Sequence, residues 1–256
     1  MLVWLASFPR SGNHLLRSVL QRSFGLGSYS VYPDRGTGKL AETVGALLHE
    51  DETVEAFLDR ARASPDLFLV KTHDPVPETD ACLYIVRDAR AALYSYRRFL
   101  ADFEKLELSL EDLVAGKAWP GAWQDHVGLL LSRDPKNTLV LRYEELASDA
   151  PPVDRIGAFL GVKPIRPFDL RFSDMQALNA KMFSIGQNAP GIASFERDHH
   201  EMFWAHCGEM MRALGYRVEE GRSTRRPPIT LPLRAGQTDI RPARRWIGRW
   251  FSRAGM

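Results

Sequence analysis

The stretch VWLASFPRSGNHLLRSVL, Val3 to Leu20, decides how this chain folds. A short apolar run stops at Phe8-Pro9, a small polar loop of Arg10, Ser11, Gly12 and Asn13 follows, and apolar residues resume at Leu15 with helical spacing. That pattern predicts a buried strand over Leu2 to Phe8, a tight loop, and a helix over Asn13 to Phe24. A loop of small residues entering a helix presents backbone N–H groups and the positive end of the helix dipole, a natural seat for phosphate or sulfate. Arg10 adds a forked cation that can hold two anion oxygens at once. The loop has no Gly-Lys-Ser/Thr, so it is not a Walker loop. Read alone, PRSGN fits equally a helix-capping loop beside an incidental surface arginine.

Further along, short apolar runs alternate with helical stretches. Leu67 to Val70 and Ala81 to Val86 (ACLYIV) read as strands, and TLVLRYEEL, from Thr138, as another. Helices are expected over Leu40 to His49, Thr53 to Ala63, Ala89 to Glu104, within WPGAWQDHVGLLLSR, and up to a stop at Gly161. Gly25 to Lys39 reads as a surface loop, and the chain after Gly161 as irregular until a helix over Phe203 to Leu214. Strands alternating with helices give an α/β protein with a mostly parallel sheet of about four to five strands.

Ligands of open α/β sheets sit beyond the carboxyl ends of the strands. Those ends carry Arg10-Ser11-Gly12, then Lys71-Thr72-His73, then Arg87, then Arg142-Tyr143. His73 suits proton transfer near neutral pH, though a histidine before Pro75 can also serve as a turn cap. Lys71 reads equally as a solvated strand end or a site residue, and Arg87 has Asp88 and Glu144 as alternative partners. Cationic strand ends together are harder to ascribe to accident than any one of them.

Composition bounds the rest. The 256 residues suffice for one sizeable core with an appendage. Two cysteines, Cys82 and Cys207, fit a reducing, cytoplasmic setting rather than a disulfide framework. Met1 to Trp4 reads as the start of a strand rather than a leader, and no apolar run reaches the length of a membrane span. From Gly221 onward nine arginines stand against one acid, Asp239, giving +8; the net charge of +2 therefore leaves −6 on the first 220 residues. A main domain over 1–220 and a basic tail over 221–256 follow. In RPARRWIGRWFSRAGM, Trp246, Ile247, Trp250 and Phe251 can share one helical face flanked by arginines, which suits peripheral contact with an anionic membrane surface. A basic tail docked on the body, or without fixed structure, reads as well. No nucleic-acid partner is indicated, and the oligomeric state is open.

The motifs resemble those of the sulfotransferases that use 3′-phosphoadenosine-5′-phosphosulfate (PAPS). WLASFPRSGNHLLR looks like their 5′-phosphosulfate loop. YIVRDARAALYSYRRF is similar to their 3′-phosphate motif, in which an arginine is followed eight residues later by a serine, here Arg87 and Ser95. LVKTHDPVP resembles the Lys-Thr-His segment that supplies the catalytic histidine. GAWQDHV, TLVLRYEELASD and EMFWAHCGEMMRALGY follow in the family's order. The resemblance implies a three-layer sandwich with a P-loop-like sulfotransferase fold, PAPS as co-substrate, its desulfated form PAP as product, and no metal. It further implies His73 as general base, with Arg10 and Lys71 at the reacting centre. Ser11, Gly12, Asn13, His14 and Leu15 would wrap the 5′-phosphate, Arg87 and Ser95 would hold the 3′-phosphate, and Tyr143 and Gly186 would lie near the cofactor. The acceptor would be a hydroxyl of a glycan, a lipid or a secondary metabolite.

The chain departs from that pattern in three places. Arg10 stands where relatives carry lysine, and NHLLR replaces a Thr-Thr-Trp run. Ser184 and Ile185, in FSIGQNAPGIASF, stand where two late cations are usual. His126 reads as an acceptor-pocket residue or as a polar residue on a packed helix. His199, His200, His206 and Cys207 match no common zinc spacing. Two alternatives stay open: a P-loop-like kinase, with Asp88 as its one candidate metal acid, and a catalytically weak nucleotide-binding module.

Overall fold

The computed structural model describes residues 1–32, 38–48, 52–180, 183 and 189–216. Its centre is a five-stranded sheet: β1 (Leu2–Ser7), β2 (Tyr29–Ser30), β3 (Phe68–Thr72), β4 (Ala81–Val86) and β5 (Thr138–Arg142), in the order β2-β3-β1-β4-β5. Every pairing is parallel. The helices in chain order are α1 (Asn13–Phe24), α2 (Lys39–Thr43), α3 (Val54–Ala63), α4 (Ala89–Phe99), α5 (Leu110–Val114), α6 (Trp123–Leu131), α7 (Tyr143–Leu146), α8 (Val153–Leu160), α9 (Phe172–Leu178), α10 (Ala189–Asp198) and α11 (His200–Ala213), with a π-helical turn at Leu100–Glu104.

Side chains alternate across a strand, so a sheet buried on both faces must be apolar at every position. In β1, Trp4 and Ala6 pack with Phe57 of α3, Leu93 of α4, Trp123 of α6 and Phe203 of α11. Val3 and Leu5 face the other way, onto Leu16, Val19 and Leu20 of α1 and Ile156 and Leu160 of α8. Two apolar cores on opposite faces of one sheet make the three-layer sandwich.

Because all strands run the same way, the loops leaving β1, β3, β4 and β5 emerge at one edge. The register brings their ends level: Ala6 pairs with Thr72, Ser7 with Ile85, and Val86 with Arg142. Arg10, His73, Arg87 and Tyr143 therefore follow strands that end side by side.

Several boundaries differ from the sequence reading, each for a tertiary reason. The loop over 25–39 contains the two-residue edge strand β2, which pairs with β3 while Tyr29 packs on Phe57 and Phe68. The helix expected over Leu40 to His49 is the short α2, ended before Gly45, whose φ of 55° leaves the helical region. The strand in TLVLRYEEL stops at Arg142, and Tyr143–Leu146 turns into α7. Helix α4 widens into the π-helical turn after Phe99 rather than continuing regularly. The stretch read as irregular holds α9 and α10. A Cβ on Gly191 would lie 2.8 Å from the Ala91 Cα and the Arg90 carbonyl oxygen, so only glycine lets α10 sit this close to α4. Buried Arg90 fastens the same junction, bridging Asp88 at the start of α4 to Glu196 on α10. Gly186, Ser184, Ile185 and the whole of 217–256, including the aromatic basic stretch, lie outside the described residues.

Candidate active site

The loop Phe8 to Gly12 is a tight turn closed by the Ser11 N–H on the Phe8 carbonyl at 3.2 Å. Gly12 caps α1 with φ 109°, and no side chain caps the helix start. A Cβ here would come within 2.7 Å of the Tyr143 ring, so glycine is required twice over, by backbone angle and by space. The first N–H groups of a helix have no partner within it, and here they open where Arg10 and Arg87 stand. Ser11 Oγ and Asn13 Oδ1 are buried without a hydrogen-bond partner. Asn13 spends its amide on structure instead, donating to the Leu5 carbonyl at 2.9 Å. Leu15 also works as packing, against the core beneath α1.

The structure brings Arg10, Arg87, Ser95 and Tyr143 together. Arg10 Nε donates to Ser95 Oγ at 3.2 Å. Arg87 donates to the Arg10 carbonyl at 3.0 Å, and its guanidinium carbon stands 4.0 Å from the Tyr143 ring centre. Asp88 caps α4 and binds Arg90, and Glu144 accepts from Tyr216. Burial, with Arg87 adding repulsion, lowers Arg10 to about 10, so it remains a cation at neutral pH. Two cations, an uncapped helix start and an orphaned buried hydroxyl form a cradle for an anion with more than one charged group.

His73 sits one strand over. Its Nδ1 lies 2.8 Å from the Ser7 carbonyl oxygen, with Ser7 Oγ at 3.3 Å. A carbonyl only accepts, so Nδ1 carries the proton and Nε2 holds the lone pair. Burial and the nearby Lys71 keep the imidazole well below its ordinary pKa, hence neutral near pH 7. The main chain on both sides of the ring is pinned. The His73 N–H donates to the Tyr32 hydroxyl at 2.9 Å, and the His73 carbonyl accepts from His126 Nε2 at 2.9 Å. Tyr32 lies nearly parallel to the His73 ring and donates to Asp74, which also accepts from Trp119 Nε1 at 3.1 Å.

His126 is thus buried behind His73 with both nitrogens engaged, Nδ1 accepting from the Tyr84 hydroxyl. Lys71 holds its ammonium 5.8 Å from the Tyr32 ring centre. His14, in the first turn of α1, is edge-on to Phe183 and is kept neutral first by burial and then by the surrounding cations, Lys71 foremost. Sequence reasoning missed Ser7, Tyr32, Asp74, Tyr84, Phe99 and Trp119. Only Asp74, adjacent to His73, left a local trace. Among the described residues, no group of three His, Cys, Asp or Glu could hold a metal ion, and no helix is long and apolar enough to cross a membrane.

Comparison with known proteins gives a consistent picture. Residues 2–200 match the profile of the sulfotransferase domain. A 3-alpha-hydroxysteroid sulfotransferase of Cavia porcellus is 33% identical over 114 residues, covering 40% of this chain and 39% of that protein. Sulfotransferase 2A6 of Mus musculus is 32% identical over 114 residues, 40% of each. The matched segment thus spans about two fifths of the length of these curated relatives. Among solved structures, mouse sulfotransferase SULT7A1 complexed with PAP superimposes with a TM-score of 0.59 at 23% identity, over 82% of this chain and 84% of that one. Retinol dehydratase in complex with retinol and PAP gives 0.58 at 18% identity, over 84% and 82%. At these identities the likeness establishes a shared fold.

Proposed function

The chain belongs to the sulfotransferase family, and from that premise we propose that it transfers the sulfuryl group of PAPS to a hydroxyl of a small-molecule acceptor. The observation that carries this reading is the convergence of Arg10, Arg87 and Ser95 at the uncapped start of α1, beside a neutral histidine with its Nε2 lone pair available. The relatives' descriptions, a hydroxysteroid sulfotransferase and PAP-bound structures, support the same chemistry, and the steroid and retinol they name support an apolar alcohol as acceptor.

PAPS would supply an activated sulfuryl group on a phosphate leaving group. The loop Ser11 to Leu15 would hold the 5′ end through backbone N–H groups, with Ser11 Oγ, an orphan in the protein alone, as a further donor. Arg87 and Ser95 would hold the 3′-phosphate. Arg10 would face the charge that builds on the leaving phosphate, a role that needs a permanent cation. His73 would accept the acceptor's hydroxyl proton at Nε2, and the Ser7 carbonyl would stabilise the imidazolium by keeping its hold on Nδ1–H. Lys71, two residues before His73, would add positive potential and keep the resting histidine neutral.

The kinase alternative draws no support from Asp88, which is buried in an ion pair with Arg90 at 2.7 Å and caps α4. Calorimetry with 3′,5′-ADP against 5′-ADP tests the proposal. A preference of about tenfold or more for the 3′,5′ form is expected from one well-placed charged contact. Equal affinity, or labelled PAPS transferring to none of a panel of phenols, sterols and sugars, would overturn it.

A further inference from the structure

We propose that Phe99 is a positioning residue for Arg10: guanidinium, ring face and Ser95 hydroxyl form one unit, matched to arginine and not to the family's lysine. The inference rests on the reading of Arg10 as the cation at the 5′ end of the cofactor. It explains a departure that nothing else in the site accounts for.

Arg10 has φ 65°, the left-handed region that side chains other than glycine rarely occupy. That turn sends its side chain across to α4. There Nε bonds Ser95 Oγ at 3.2 Å, and the guanidinium carbon lies 5.4 Å from the Phe99 ring centre. The negative face of an aromatic ring attracts a cation, and a flat guanidinium can lie along it while its N–H edge points elsewhere. A lysine ammonium is a compact point charge whose three N–H groups share one nitrogen, so it has no flat face to lie along the ring while separate edge nitrogens reach the Ser95 hydroxyl and an anion.

Phe99 is itself held in place. It stacks on Phe103 of the π-helical turn, with ring centres 5.1 Å apart and planes 26° apart. It also stacks on Tyr96, at 6.4 Å and 25°. Tyr96 in turn meets Phe8 edge-on at 5.8 Å, and Phe8 opens the loop that carries Arg10. Phe8, Tyr96, Phe99 and Arg10 therefore close a circuit that starts and ends on the anion loop. The π-helical turn, a departure often found at functional sites, starts at the residue after Phe99 and supplies Phe103 as its outer support. The ring also favours a cation that burial and Arg87 disfavour.

The test is a double-mutant cycle of Arg10→Lys and Phe99→Leu, read by binding as well as by turnover. The ratio of affinities for 3′,5′-ADP and 3′-AMP, measured by calorimetry, isolates the 5′-phosphate and hence Arg10. Each single variant is expected to shrink that ratio about three- to tenfold, and the double variant by no more than the larger single loss. Phe99→Trp, which keeps a ring face, should retain the ratio, and kcat should follow the same order. Losses that multiply in the double variant would overturn the pairing, as would an unchanged ratio in a folded Phe99→Leu protein. Should Phe99→Leu fail to fold, Phe99→Met takes its place in the cycle under the same criteria. Arg10→Ala separates the two levels. An unchanged ratio in that variant removes Arg10 from the 5′ end altogether, whereas a ratio that falls for Arg10→Ala but not for Phe99→Leu removes only the role of the ring.

Discussion

At the end of β1 the loop Phe8 to Gly12 is shaped by its own backbone, with a turn closed over three residues and a glycine capping the next helix. At the end of β3, His73 is shaped by residues 41, 53 and 66 positions away: Tyr32 on its N–H, His126 on its carbonyl and Ser7 on its ring. The loop offers positive potential from backbone dipoles and arginines, groups that stay charged at any physiological pH. The histidine offers a lone pair, which exists only while the ring is neutral and correctly oriented. On the proposed roles, holding an anion and taking a proton would call for different architectures, one local and polar, the other long-range and mostly buried.

The largest expected effect separates the two ends. His73→Ala should lower kcat by about 10²- to 10⁴-fold while leaving 3′,5′-ADP affinity within about twofold, as isothermal calorimetry would report. A parallel collapse in binding would mean the two ends are a single unit. Next, Arg87→Gln should weaken 3′,5′-ADP by about tenfold or more, from about 1.5–3 kcal/mol for a charge-assisted contact, and should leave 5′-ADP nearly untouched. Loss for both nucleotides would move Arg87 away from the 3′ end.

Smaller effects probe how each end is held. Gly12→Ala combines a φ of 109° with a contact of 2.7 Å to the Tyr143 ring. It should cost on the order of 1–3 kcal/mol of stability, seen as a lower urea midpoint. Tyr32→Phe removes the acceptor for the His73 N–H and should cost kcat about three- to tenfold, from about 1 kcal/mol for one hydrogen bond. An unaffected kcat in that variant would show that the His73 frame does not depend on this tether.

The pH dependence is the mildest test, and its sign is set by burial. The His73 pKa is depressed well below 6.5, so kcat/KM should stay level from pH 7.5 down through 6.5 and fall only below it. A profile losing half its value at about 6.5, the ordinary histidine pKa, would mean the ring is not held as described. His14, His73 and His126 are all lowered, so the unfolded chain binds protons that the folded chain excludes. Stability is therefore full above about pH 6.5 and declines as the pH falls below it. Urea titrations at pH 7.5 and 5.5 would register that decline.

How much of this was legible beforehand varies with the range of the interactions. The run from Val3 to Leu20 announces strand, loop and helix because apolar periodicity and small loop residues are local signals. Arg87 is readable as a cation at a strand end, whereas Ser95 is singled out only by the resemblance to the family's 3′-phosphate motif. Their partner in the structure, Arg10, lies 77 and 85 positions from them. By contrast β2 has two residues and no period of its own; it exists because β3 provides an edge and Tyr29 finds Phe57 and Phe68. Helix α10 was hidden in a stretch with a proline and a glycine, and Gly191 makes sense only against Ala91. His126 reads equally as a pocket residue or as a polar residue on a packed helix, because its tautomer and partners depend on Tyr84 and on the main chain of His73.

From the amino-acid order alone came the parallel α/β scaffold, the anion loop, and the cationic decoration of neighbouring strand ends, because each is written in residues close along the chain. The tertiary structure alone decided which nitrogen of His73 carries the proton, what pins its backbone, and why an arginine at position 10 has a ring to rest on. Those depend on side chains that meet only after the sheet has aligned its strand ends and the helices have packed on both faces, and such meetings leave no period in the sequence.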